Sequence, residues 1–102
     1  MRTRLPKKIL TAMKSHPQFH QSVWKACCEI PKGEVRTYGW VAKRVGKPKA
    51  ARAVGQALGR NPFAPTVPCH RVVGANGRMT GYSGTGGIAR KRRMLRAEGA
   101  PV

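Results

Sequence analysis

Acidic residues are nearly missing from this chain. Three Asp and Glu stand against 21 Lys and Arg, a formal charge of +18 over 102 residues. An ordinary solubility surface mixes both signs, so it does not explain such an imbalance. Clustered cations gain affinity by releasing phosphate counterions, which makes nucleic acid the first expectation and an anionic membrane surface the second. Long apolar runs are also lacking, which excludes a bilayer-spanning helix. Met1 to Lys14 is broken by Arg2, Arg4, Pro6, Lys7 and Lys8, and so offers no signal-peptide core. A cytoplasmic location is expected, at the nucleoid in a bacterium, with no membrane partner.

Cysteine is scarce and odd in number: Cys27 and Cys28 are adjacent and Cys69 stands apart. That excludes a disulfide scaffold, and without a Cys-x-x-Cys pair no structural zinc is expected. His16 and His20 are four apart, but Pro17 is expected to start a helix between them, so they share no helical face and no metal site is expected. No internal repeat is present. A length of 102 residues allows one domain with a modest core, and 40% hydrophobic content argues against disorder throughout.

Residues 1–16 read as a basic, loosely held arm, and residues 17–102 as the folded domain. Pro17 suits the first turn of a helix. Phe19, Val23, Cys27 and Ile30 recur at helical spacing with Trp24 beside them, and Pro31 and Gly33 stop the run. Thr37 is a plausible N-cap for a second helix with Val41, Ala42 and Val45 inside and Gly46 as its end. Pro48 restarts a third, roughly Lys49 to Gly59. Two short helices around a tight Gly-Lys-Pro turn form a helix-turn-helix pattern, crowded by Lys43, Arg44, Lys47, Lys49 and Arg52. The third helix is mostly Ala and Gly, with Arg52 and Gln56 its only long polar residues before Arg60. Binding carried by phosphates, with little sequence reading, follows. Val72-Val73 and Asn76-Gly77 read as a small hairpin or wing, and 81–87 as a flexible Gly-rich loop. A last helix, about Ile88 to Ala97, puts Ile88, Lys91 and Leu95 on one side and ends at Gly99. Its Arg90, Lys91, Arg92, Arg93 and Arg96 read as a solvated face or a second phosphate contact. The fold class expected is mainly α with a small β wing, a winged-helix-like helix-turn-helix domain.

Cys69 is followed by His70 and Arg71 in a positive field. A thiol is a good nucleophile only when deprotonated, and cationic or basic neighbours promote that. On chemistry alone a buried structural cysteine remains the more common case.

Pro68-Cys69-His70-Arg71-Val72-Val73 resembles the active-site motif of the O6-alkylguanine-DNA alkyltransferases. The resemblance runs from about Phe19 to Gly99 in motif order: Ile30-Pro31-Lys32-Gly33, Thr37-Tyr38-Gly39, Ala51-Arg52-Ala53-Val54-Gly55, Asn61-Pro62, the cysteine motif, Gly81-Tyr82-Ser83-Gly84 and Glu98-Gly99. It implies single-turnover transfer of an alkyl group from O6-alkylguanine in double-stranded DNA to Cys69, with no cofactor. His70 would draw the thiol proton through a water, Glu98 would hold and polarise His70, Asn61 would brace the active-site turn, and Tyr38 would donate near the guanine O6. Val72, Tyr82 and Ser83 would line the guanine pocket. The base would be flipped out. Arg52 would fill its place, and Ala53 and Gly55 would let the helix sit close in the minor groove. Lys49 and Arg71 are expected to contact DNA as well. A monomer is expected, with other repair proteins as further partners.

Two other readings stand beside this one. Alkyltransferase-like proteins resemble this chain in length, bind alkylated guanine and transfer nothing, but they usually carry Trp or Ala where Cys69 stands. A helix-turn-helix protein with a structural Cys69 is the third. The loop Ser83 to Gly87 is longer than the family's common Ser-Gly-Gly pattern, which leaves pocket size and alkyl preference open.

Overall fold

A computed structural model describes residues 4–64, 66–77 and 87–100. In order they form α1 (Lys7–Met13), α2 (Gln18–Cys27), β1 (Arg36–Thr37), α3 (Tyr38–Arg44), α4 (Ala51–Gly59), a 3-10 turn (Cys69–Arg71), β2 (Val72–Val73), a second 3-10 turn (Ala75–Gly77) and α5 (Gly87–Ala97).

Local chemistry sets most boundaries. Pro17 caps α2 from an extended conformation, where its missing N–H is of no consequence. The Thr37 hydroxyl accepts from the Trp40 N–H at 3.0 Å and starts α3. Gly46, at φ +80°, turns the chain out of α3 in the left-handed conformation that glycine adopts freely. At the far end Gly99, at φ +88°, ends α5, and the Ala100 N–H reaches back to the Leu95 carbonyl at 2.9 Å, as in a Schellman-type stop.

The core is one cluster in which Val23, Trp24, Cys27, Ile30, Val41, Val54, Val67 and Val72 are fully buried. Burying each Val or Ile contributes roughly 1.5–3 kcal/mol. The Trp24 indole N–H donates to the Ala57 carbonyl at 2.8 Å, so α2 is tied to α4 by a buried hydrogen bond as well as by packing. α3 and α4 pack on each other and on α2 as the expected helix-turn-helix.

Several expectations change. The stretch expected to be a loose arm carries α1, whose Met13 is fully buried, with Leu5 and Ile9 packed on the core; three apolar residues at helical spacing outweigh the basic ones between them. α2 ends at Cys27, not at Pro31, and a turn carries Ile30 into the core. α4 starts at Ala51, two residues later than expected. Val72-Val73 does not fold back as a hairpin. It pairs in parallel with β1, Arg36 opposite Val72 and Thr37 opposite Val73, and 75–77 is a 3-10 turn. In α5, Lys91 is buried and not part of a solvated face, whereas Ile88 is exposed. The loop expected at 81–87 lies outside the described residues apart from Gly87.

Candidate active site

The segment Asn61 to Val72 has almost no regular structure, so its shape depends on side-chain hydrogen bonds. Asn61 supplies them: its Oδ1 accepts from the Phe63 N–H at 2.8 Å, and its Nδ2 donates to the Val67 carbonyl at 3.1 Å. The Cys69 N–H donates to the same Val67 carbonyl at 2.8 Å and the Arg71 N–H to the Pro68 carbonyl at 3.0 Å. Cys69 thus opens a tight 3-10 turn whose entrance one amide clamps. The cysteine is 5% exposed.

The next two side chains face inward. His70 is buried, and its Nε2 lies 3.1 Å from Glu98 Oε2. A carboxylate only accepts, so the neutral ring carries its hydrogen on Nε2 and leaves the Nδ1 lone pair available. Nδ1 has no protein partner among the described residues. Arg71 is buried too. It grips Glu98 with both prongs, Nε to Oε1 at 3.0 Å and Nη2 to Oε2 at 2.8 Å, while Nη1 donates to the Ile30 carbonyl at 2.9 Å. This corrects the expectation that Arg71 contacts DNA: its guanidinium is committed inside the protein.

Glu98 is set just past α5, and its position depends on a glycine. A Cβ on Gly33, which has φ +92°, would lie 2.9 Å from the Glu98 carbonyl oxygen. Gly33 therefore does more than end a turn: it lets the main chain of Glu98 come close.

From α5 a further group enters. Lys91 is 1% exposed and donates through Nζ to the Val72 carbonyl at 2.7 Å. Sequence reasoning missed its role. The signal was present, since Lys91 shares a helical stripe with Leu95, but a lysine is normally solvated.

Electrostatics follow from this layout. Burial pushes the Cys69 thiol up, and the Asn61 hydrogen bond and the Lys91 charge only partly offset it. At rest Cys69 is therefore a thiol, which would need a base to act as a nucleophile. Burial lowers His70, against the opposing pull of Glu98, so the imidazole is neutral at neutral pH. Burial alone would raise Glu98, but hydrogen bonds from Arg71 and His70 outweigh it and hold the carboxylate below its ordinary range. The arrangement can accept a proton near a buried sulfur and stabilise the imidazolium that results.

The other expected residues are spread around this centre. Tyr38 opens α3, half-buried against the core. Val72 is buried, with its carbonyl occupied by Lys91. Lys49 and Arg52 are exposed and Ala53 and Gly55 half-buried, at or near the start of α4. Tyr82 and Ser83 lie outside the described residues. Among those residues no group of three metal-ligating side chains occurs, and no helix is long and apolar enough to cross a membrane.

Comparison with known proteins agrees with this architecture. The family model described as 6-O-methylguanine DNA methyltransferase, DNA binding domain, matches residues 18–100. A methylated-DNA–protein-cysteine methyltransferase of Methanosarcina mazei is 59% identical over 81 residues, 79% of this chain and 50% of that protein. One from Mycobacterium tuberculosis is 59% identical over 80 residues, 78% of this chain and 47% of that protein. The chain thus spans about half the length of these curated relatives. Among solved structures, Mycobacterium tuberculosis OGT in complex with DNA superposes with a TM-score of 0.78 at 55% identity, over 85% of this chain and 54% of that one. S. pombe Atl1, in complex with damaged DNA containing O6-carboxymethylguanine, gives 0.72 at 40% identity, over 80% of this chain and 76% of that one. The chain belongs to the family of 6-O-methylguanine DNA methyltransferase DNA-binding domains.

Proposed function

We propose that this chain repairs DNA directly, by transferring the alkyl group of an O6-alkylguanine to Cys69 in a single turnover. The observation that carries the reading is the buried thiol of Cys69 on a clamped turn, followed by a neutral His70 that Glu98 and Arg71 hold in one tautomer. In the reaction the Cys69 proton passes to His70 Nδ1, directly or through one bridging water. Glu98 steadies the imidazolium, and the charge of Lys91 favours the thiolate. The sulfur attacks the alkyl carbon in line, the bond from that carbon to O6 breaks, and guanine leaves as the Tyr38 hydroxyl donates a hydrogen bond near O6. The proton taken up by His70 is then returned to the departing base, so that both side chains end neutral. The thioether is stable, so each chain acts once. No cofactor takes part, since the DNA is the donor.

The DNA contact is assigned to α4. Gly55 and Gly59 lie within or at the end of a helix at ordinary negative φ, and a Cβ on either would meet nothing within 4 Å. Glycine weakens a helix by about 1 kcal/mol relative to Ala, and nothing among the described residues requires it there. A close approach to an outside surface, such as the floor of a DNA groove, accounts for both. Lys49 would meet phosphates beside it, and Arg52 would occupy the space of the flipped guanine. Tyr82 and Ser83 are assigned to the guanine pocket with Val72, on the family resemblance.

Intact mass before and after incubation with duplex DNA containing O6-methylguanine tests this. One methyl per chain should appear, mapped to Cys69. Cys69→Ala should abolish the gain and keep lesion binding. A methyl on Cys27 or Cys28 would overturn the assignment. Tight binding of the lesion with no mass gain would instead make this a lesion-binding protein, a reading that the likeness to the S. pombe complex favours.

A further inference from the structure

The turn that carries Cys69 can form few main-chain hydrogen bonds of its own. Pro62, Pro65 and Pro68 fall within residues 61–68, and a proline offers no N–H. Phe63 is the hub of the bonds that do form. Its N–H donates to Asn61 Oδ1 at 2.8 Å, and its carbonyl accepts from the Val67 N–H at 3.0 Å. The Val67 carbonyl in turn accepts from Asn61 Nδ2 at 3.1 Å and from the Cys69 N–H at 2.8 Å. A shift of the Phe63 peptide therefore reaches Cys69 through Val67, both directly and by way of Asn61.

The Phe63 ring is held from another part of the chain. It meets the Trp24 ring edge-on, with 5.7 Å between centroids and 82° between planes, and the His16 ring at 5.9 Å and 81°. His16 also meets Trp24, at 5.0 Å and 76°. The three rings close a triangle of edge-to-face contacts, an arrangement that ring quadrupoles favour. Each corner is anchored. The Trp24 N–H is bonded to the Ala57 carbonyl at 2.8 Å. The His16 N–H donates to the carbonyl of Met13, itself fully buried, at 2.9 Å, and the His16 carbonyl accepts from Gln21 Nε2 at 2.8 Å. His16 stands outside residues 18–100, the stretch that the family model matches.

We propose that His16, just past the exit of α1, is a positioning residue for alkyl transfer. Its ring seats Phe63, and Phe63 sets the turn from which Cys69 attacks. The inference rests on the alkyl-transfer reading. A site whose reacting groups all follow α2 is thereby braced by a segment that precedes it.

Two measurements on the full chain test this, all variants being compared well below their melting temperatures so that lost stability alone leaves them unmoved. Hydrogen exchange at the Val67 and Cys69 amides, without DNA, follows the turn itself. Single-turnover transfer over a range of concentrations of O6-methylguanine duplex separates the saturated rate from the half-saturating concentration. His16→Ala should speed exchange at both amides and lower the saturated rate roughly tenfold, since two ring contacts are lost. Half-saturation should stay nearly unchanged. His16→Phe, which restores a ring edge, should return exchange and rate to those of the unaltered chain. Phe63→Leu keeps apolar bulk without the ring; it should match His16→Ala, and it tests the same link if His16→Ala does not fold. Unchanged exchange and rate in either loss variant overturns the proposal. So does a loss in His16→Phe as large as in His16→Ala, or an effect confined to half-saturation. No response in the variants with transfer by the unaltered chain intact overturns this inference alone. If the unaltered chain transfers nothing, the alkyl-transfer reading falls, and exchange still decides whether His16 sets the turn.

Discussion

At the scale of single residues, the members of the candidate site hold one another in place. Arg71 keeps Glu98 ionised, Glu98 fixes the His70 tautomer, and His70 presents Nδ1 as the one ring nitrogen able to accept. The pKa of His70 reflects two opposed effects. Burial lowers it and Glu98 raises it. Glu98→Gln removes the opposing effect, so His70 should titrate still lower. In the proposed mechanism the rate of transfer to Cys69 needs the neutral ring and falls as pH drops through the His70 pKa. The acid limb of that rate should therefore move to lower pH in the variant, while the plateau falls by up to about 100-fold as the base loses its orientation. Single-turnover rates from about pH 5 upward, on protein checked for folding, measure both effects. An acid limb that stays put or moves to higher pH would show that His70 is not the titrating base.

At the scale of elements, α4 is built against its own stability. Val54, Ala57 and Leu58 bury one side, but Gly55 and Gly59 leave gaps on the helix that none of the described residues fills. Gly55→Ala should stabilise the folded chain by roughly 0.5–1 kcal/mol, seen as a melting temperature higher by a few degrees. The same methyl group should weaken binding to undamaged duplex by about tenfold, or about 1.4 kcal/mol, because it stands the helix off the groove. Opposite signs in the two measurements are the signature of a surface shaped for a partner. Unchanged affinity would remove α4 from the interface. The parallel pair β1–β2 is a second element with a positional role: two hydrogen-bonded residues on each side join the entrance of α3 to the exit of the Cys69 turn, and so tie Tyr38 and Cys69 to one frame.

At the scale of the whole molecule, the charge of +18 governs encounter more than recognition. If about four to six phosphates are neutralised, log K against log salt should slope by roughly −4 to −5, with little dependence on the sequence of an undamaged duplex. Removing residues 1–4, with Arg2 and Arg4, should flatten the slope by at most about one unit for each phosphate left unneutralised. That cut stops short of α1, whose Met13 belongs to the core, and transfer should persist. Binding at several salt concentrations on unrelated duplexes checks this. A shallow slope, or strong preference for one undamaged sequence, would favour a sequence-reading helix-turn-helix protein instead.

The local features were legible in the sequence because they depend on neighbouring residues. Pro17, Thr37, Gly46 and Gly99 act within one turn of themselves, and the helix-turn-helix followed from their spacing. The charge imbalance is a property of composition and needed no fold. Cys69, His70 and Arg71 were singled out through a motif, Pro68 to Val73, that is contiguous in the chain, and Tyr38, Asn61 and Glu98 through separate motifs of the same resemblance. What the tertiary structure decided involves groups far apart in sequence. Arg71 turns inward because Glu98 and the Ile30 carbonyl wait there, 27 and 41 residues away. Lys91 is buried because the Val72 carbonyl accepts from its ammonium group. Val72-Val73 pairs with Arg36-Thr37 and not with its own neighbours. Spacing along a chain shows which side chains share a helix face; it does not show which distant partner will offset the desolvation of a buried charge, and that decides whether a cation faces the solvent or the core.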